Sequence, residues 1–238
     1  MAAWFRRRRK RPEAPRLRSR GEEIVTTRVE LQEFTPPLLE FLGRAAYVEL
    51  TLFEYLSRAV ATAPSVAAKA AIGEVAELTL ARHRALVDEI AETGTSPADA
   101  MEPYTGPADD FERHLRDGDW YETLVTCYLT TGFLDDFFAT LASGLQDADA
   151  ERVAAIFRGR RGVTLLAAEL EEAIDANPRL AARLAMWGRR VVGDTMLLAR
   201  SVLHFGANHD SDEARIEPVF SELIAAHTRR MDALGLTA

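Results

Sequence analysis

The chain has 238 residues, enough for one domain of ordinary to large size. Hydrophobic residues make up 47% and charged residues 28%, a globular composition that excludes global disorder, collagen-like repeats and a coiled-coil rod. Charges recur at short intervals through every helical stretch, which excludes a run of about 18 uncharged apolar residues able to span a membrane. The net charge of −8 hides an asymmetry. Residues 1–20 hold nine basic side chains and one acid, Glu13, whereas the remainder holds 20 basic and 36 acidic side chains. The body therefore has no surplus of cations for a polyanion, and the basic segment is a separate tail preceding a domain over 21–238. No apolar stretch follows the arginines, so they do not read as a secretion signal and the expected location is cytoplasmic. A single cysteine, Cys127, excludes an internal disulfide framework and reads as a small buried hydrophobe.

In chain order, Gly21–Phe34 is ambiguous between an extended segment and a short lead-in helix. Thr35 before Pro36-Pro37 reads as an N-cap with proline in the first turn, opening a helix over about 36–63. Ala63-Pro64 stops it, and Ser65 caps a second helix reaching Thr93, ended by Gly94. The proline- and glycine-bearing stretch 94–118 reads as a crossover loop with room for a short helix at Ala108–Arg116. Asp119 caps a third helix over about 119–145. A fourth, capped by Asp147 or Asp149, reaches Ala176. Asn177-Pro178 restarts the chain as a fifth over 178–205, and a sixth covers 212–234. No segment of 35–235 sustains a period of two, so the expected class is all-α. Two long hairpins joined by a long crossover predict a ferritin-like four-helix bundle, with two additional C-terminal helices outside it.

Three interior polar positions stand out. Leu42, Ala45, Ala46, Glu49, Leu52, Phe53, Leu56 and Val60 form one helical stripe with a carboxylate at its centre. Ala76, Thr79, Leu80, His83, Val87 and Ile90 form another, with His83 near its middle. The third helix offers Glu122 ahead of Val125, Thr126, Leu129 and Phe133. A lone buried carboxylate costs several kcal/mol unless it is compensated, so Glu49 calls for a partner, with His83 the expected one across the first two helices. The segments YVELTLFEYL (Tyr47–Leu56), LARHRALVDEI (Leu80–Ile90) and WYETLVTCYLTTGFLDDFF (Trp120–Phe138) resemble ferritin-like proteins of high-GC Gram-positive bacteria grouped with the tRNA-hydroxylase-like family. The resemblance covers about 36–205.

That resemblance implies a di-iron site built from one Glu on each of the first and third helices and a Glu-x-x-His pair on each of the second and fourth. Glu49, His83 and Glu122 match three of these positions. Leu80 stands where the bridging glutamate of the second helix belongs, Gly159-Arg160-Arg161-Gly162 occupies the expected second pair, and the chain contains no Glu-x-x-His. Without bridging carboxylates two metal ions have nothing to hold them together, so the motif is degenerate and no cofactor is expected. Glu49, His83 and Glu122 remain a candidate set for a single residual metal, with iron the ion such a set would take. Two functional readings follow. One is a non-catalytic binding or scaffold module. The other, implied by the resemblance, is a metal- and oxygen-dependent hydroxylase with an atypical site. Asp136 reads as solvated or capping. Gly159 and Gly162 read as mid-helix glycines that allow close packing, or as the walls of a cavity into which Arg160 or Arg161 could turn toward an anion.

The tail carries Arg6, Arg7, Arg8, Arg9, Lys10 and Arg11 behind Trp4 and Phe5, a footprint that suits a solubilising terminus, nucleic acid, an anionic membrane surface or a contact with the acidic body of the same chain. The apolar content of the fifth and sixth helices needs cover from the bundle or from a second copy, so a homodimer is an expected assembly.

Overall fold

The computed structural model describes residues 31–115, 118–205 and 209–236. The basic tail and most of the ambiguous lead-in lie outside the described residues. Helix α1 spans Leu38–Thr62, α2 Val66–Glu92, α3 Pro97–Met101, α4 Thr105–Leu115, α5 Trp120–Ala142, α6 Asp147–Ile156, α7 Arg161–Ala176, α8 Arg179–Val202 and α9 His209–Ala233. Among the described residues there is no strand, and no helix is long and apolar enough to cross a membrane.

The helix starts and stops follow local chemistry. Ser65 Oγ accepts from the Ala68 N–H at 3.0 Å, and Gly94 closes α2 with φ +78°, a conformation that costs glycine little. At the start of α5, Asp119 Oδ1 accepts from the Glu122 N–H while Glu122 Oε2 accepts from the Asp119 N–H, both at 2.9 Å, a complete capping box. Thr35 does not cap α1. Pro37 holds the N-cap position, and the Thr35 hydroxyl instead donates to the Leu141 carbonyl at the end of α5. A β-branched hydroxyl immediately before two prolines is as well placed for a neighbouring helix end as for its own.

Helices α1, α2, α5 and the α6–α7 pair occupy the four corners of a ferritin-like bundle, with α1 packed most extensively on α2. Residues Leu124–Asp135 of α5 are buried without interruption, as expected of a helix packed on several sides. Its neighbours include α1, α6, α7, α8 and α9. Phe138 of α5 stacks on Phe157 at 5.0 Å between ring centroids and meets Phe41 of α1 edge-on at 5.8 Å, closing one end of the core. Helices α8 and α9 pack outside the bundle against α5.

Two sequence expectations change. The crossover is mostly helical, with α3, a short 3₁₀ turn at Glu102–Tyr104 and α4. Pro97, Pro103 and Pro107 sit in first turns, where a missing N–H costs nothing. The expected fourth helix is two helices, broken at Phe157–Arg160. Gly159 lies in the break, exposed, and Gly162 lies in the first turn of α7 against Val75 and Leu78. They are therefore not mid-helix glycines.

Candidate functional site

The polar centre of the bundle is built from α1, α2, α5 and the α6–α7 link. Glu49 of α1 is buried, 1% exposed, and its Oε2 has no hydrogen-bond partner. From α2, the Arg82 guanidinium forks onto Asp135 of α5, Nη1 to Oδ1 at 2.6 Å and Nη2 to Oδ2 at 3.1 Å. Nη2 also donates to the Gly159 carbonyl at 2.6 Å. Asp135 is 1% exposed, so this is a buried bidentate pair of the strong, geometrically demanding kind. Burial pushes the Asp135 carboxyl up to about 6, with Arg82 pulling it back. Burial pushes Glu49 up to about 8, Arg82 opposing and the Asp135 charge reinforcing the rise. At neutral pH the centre thus holds one guanidinium, one carboxylate and one protonated carboxyl.

Neither His83 nor Glu122 makes a hydrogen bond to Glu49 among the described residues. His83 is half-buried and its Nδ1–H donates to the Ala46 carbonyl at 2.8 Å. No hydrogen bond joins Glu49 to His83 among the described residues, and the charges that act on Glu49 are those of Arg82 and Asp135. Glu122 serves the capping box, with Arg183 Nε 3.8 Å from its Oε1. Thirteen residues separate it from Asp135, about 20 Å along α5.

The arginines of the α6–α7 break are also committed. Arg160 pairs with Asp136 at 2.8 Å and Arg161 with Glu74, so neither is turned toward an interior anion. Asp136 is a half-buried ion-pair hub and not a solvated side chain, since Arg230 of α9 reaches its Oδ2 as well. Cys127 is buried and its thiol is pushed up to about 12, consistent with a packing role.

The di-iron centre implied by the resemblance does not fit these residues. A guanidinium offers only N–H donors and a fixed positive charge, so Arg82 cannot ligate a metal and repels one. Both oxygens of Asp135 already accept from it. Among the described residues no group of three or more His, Cys, Asp or Glu side chains is arranged to hold a metal ion.

Arg82 and Asp135 each carry a mark in the sequence, although nothing local pairs the two. The buried positions Val75, Thr79 and Leu86 of α2 run through Arg82 at spacings of three and four, next to the histidine that draws attention as a ligand. Asp135 lies in the most continuously apolar helix of the chain, where an acid needs a cation.

A model of the ferritin-like domain of actinomycetes matches residues 32–211, which takes in the bundle and α8. No curated protein matches the chain. The matched span includes all four bundle corners and the residues of the polar centre, and the chain belongs to this ferritin-like family of actinomycetes.

Proposed function

We propose that this chain is a non-catalytic ferritin-like module, used for binding or as a scaffold, in which an internal guanidinium takes the role that metal ions have in carboxylate-bridged bundles. The reading rests on one observation: the buried Arg82 fork onto Asp135, with Nη2 on the Gly159 carbonyl. A di-metal bundle uses cations to hold inward carboxylates together. Here a cation tethered to α2 does so, and it joins α5 and the α6–α7 link without offering a position for oxygen or substrate. The runner-up, a hydroxylase resembling the tRNA-modifying enzymes, requires a metal set that draws on residues beyond this centre. The polybasic segment Arg6–Arg11 is the surface we assign to polyanions, nucleic acid or anionic lipid.

Elemental analysis of protein expressed with supplementary iron and manganese tests the reading. The expected result is sub-stoichiometric metal. Stoichiometric metal that is lost in Glu49→Ala or Asp135→Ala overturns it and supports the hydroxylase.

A further inference from the structure

The outer face of α2 has features that the packing of one chain does not explain. Ile72, Val75, Thr79, Leu86 and Ile90 are buried against the rest of the bundle, while Glu77, Ala81, Arg84 and Asp88 form an exposed ridge on the other side. An apolar groove flanks each side of the ridge. One, of about 530 Å³, runs between α1 and α2 and is lined mainly by Phe53, Val60, Gly73, Ala76 and Leu80. The other, of about 320 Å³, lies toward the α6–α7 break, with Leu78, Ala85, Ala155 and Ile156 in its walls. Leu78 and Leu80 are only half-buried.

The ridge charges Glu77 and Arg84 are exposed and have no partner among the described residues of the chain. Glu74 and Arg82 of the same helix are paired with Arg161 and Asp135, whereas Glu77 and Arg84 make no side-chain hydrogen bond or ion pair among the described residues. Gly73 is equally unexplained. A Cβ there would meet nothing within 4 Å, yet glycine in a helix interior costs about 1 kcal/mol relative to alanine.

We propose that this face is the interface of a two-fold homodimer, with α2 packed antiparallel against α2 of a second copy. Glu77 and Arg84 lie at equal distances on either side of the midpoint between Leu80 and Ala81. A two-fold axis crossing α2 at that midpoint brings Glu77 against the partner's Arg84, and Arg84 against the partner's Glu77. The axis also sets Leu80 beside the partner's Leu80 on one side of the ridge and Ala81 beside the partner's Ala81 on the other. Gly73 then faces the partner's Asp88, which gives the missing side chain a steric reason. This is the reciprocal pattern an isologous contact requires, with Glu77 and Arg84 paired across the axis and the grooves covered by apolar side chains.

Sedimentation of the full chain over a range of concentrations, with circular dichroism to verify folding, tests the proposal. The wild-type protein is expected to dimerise. Glu77→Arg and Arg84→Glu each turn two attractive contacts into repulsive ones and should weaken the dimer by about tenfold. The double variant, Glu77→Arg with Arg84→Glu, restores complementary charge and should recover the dimer. Ala81→Cys should form a disulfide-linked dimer on mild oxidation, with the buried Cys127 silent. A monomer at every concentration, or a dimer indifferent to the charge reversals, overturns the proposal. So does a dimer lost instead through Met186→Asp or Leu197→Asp, since these side chains of α8 are 69% and 67% exposed and would locate the contact there.

Discussion

Arg82 donates to three acceptors at once, two carboxylate oxygens and a backbone carbonyl, and its side chain is only 13% exposed. Removing one partner of such a pair leaves the other charge buried without compensation, so Arg82→Ala should destabilise the fold by about 3–5 kcal/mol. The apolar double replacement Arg82→Met with Asp135→Leu should cost much less. Denaturant unfolding of the three proteins measures this coupling, and additive effects would show the two residues to be independent. Glu49 has a different signature. Its folded-state value near 8 lies above its ordinary 4.5, so the folded chain holds a proton that the unfolded chain releases. Stability from this group is fully present below about pH 4.5 and falls as pH rises toward 8. Asp135, raised from 3.8 to about 6, adds a fall of the same sign at lower pH. The melting temperature should therefore decline from about pH 5 to about pH 8. Glu49→Gln should flatten the upper part of that decline and melt higher than wild type at pH 8. Parallel curves for the two proteins would show that Glu49 titrates at its ordinary value.

Among the elements, glycines mark where helices touch. A Cβ on Gly43 of α1 would lie 2.2 Å from the Ala100 carbonyl oxygen of α3, a backbone atom that cannot swing aside. Gly43→Ala should push α3 off α1 and cost about 1–3 kcal/mol. Gly193, at an exposed position within α8, would meet nothing within 4 Å, and Gly193→Ala should stabilise by up to about 1 kcal/mol through helix propensity alone. Thermal melts of the two variants in opposite directions would verify that these glycines differ by contact. Gly132 of α5 is a third case. Its missing side chain is where Arg230 of α9 passes, the Nε only 2.4 Å from a built Cβ, on its way to Asp136. The outer helix is thus tied to the bundle by an ion pair that a larger residue would block.

At the scale of the molecule, charge separates the tail from the body. Beyond the first 20 residues acids outnumber bases 36 to 20, a surplus that repels polyanions, so the proposed binding to nucleic acid or anionic lipid is assigned to Arg6–Arg11. Filter binding and vesicle sedimentation should show affinity dropping steeply between about 50 and 200 mM salt. Deleting residues 1–20 should abolish binding and leave the melting temperature unchanged. Polyanion binding that survives the truncation would move the functional surface onto the bundle.

The helical class, the starts of α2 and α5, the stop at Gly94 and the long crossover between two hairpins were legible in the sequence, because caps, proline breaks and the 3.6-residue period act over a few neighbouring residues. Glu49 as an interior carboxylate was legible for the same reason, standing alone in an apolar stripe. The charged pair that acts on it was not. Which of Arg82 and His83 turns inward depends on the rotation of α2 against α1 and α5, a matter of a fraction of a turn set by packing of the whole bundle. The use of Glu122 as a helix cap, the break at Phe157–Arg160 that presents the Gly159 carbonyl to Arg82, and the capture of Asp136 by arginines from two other elements were likewise decided only in the tertiary structure. A side chain's charge is written in the sequence, but the group that neutralises it here lies 53 residues away for Arg82 and Asp135 and 94 for Asp136 and Arg230, beyond any local rule.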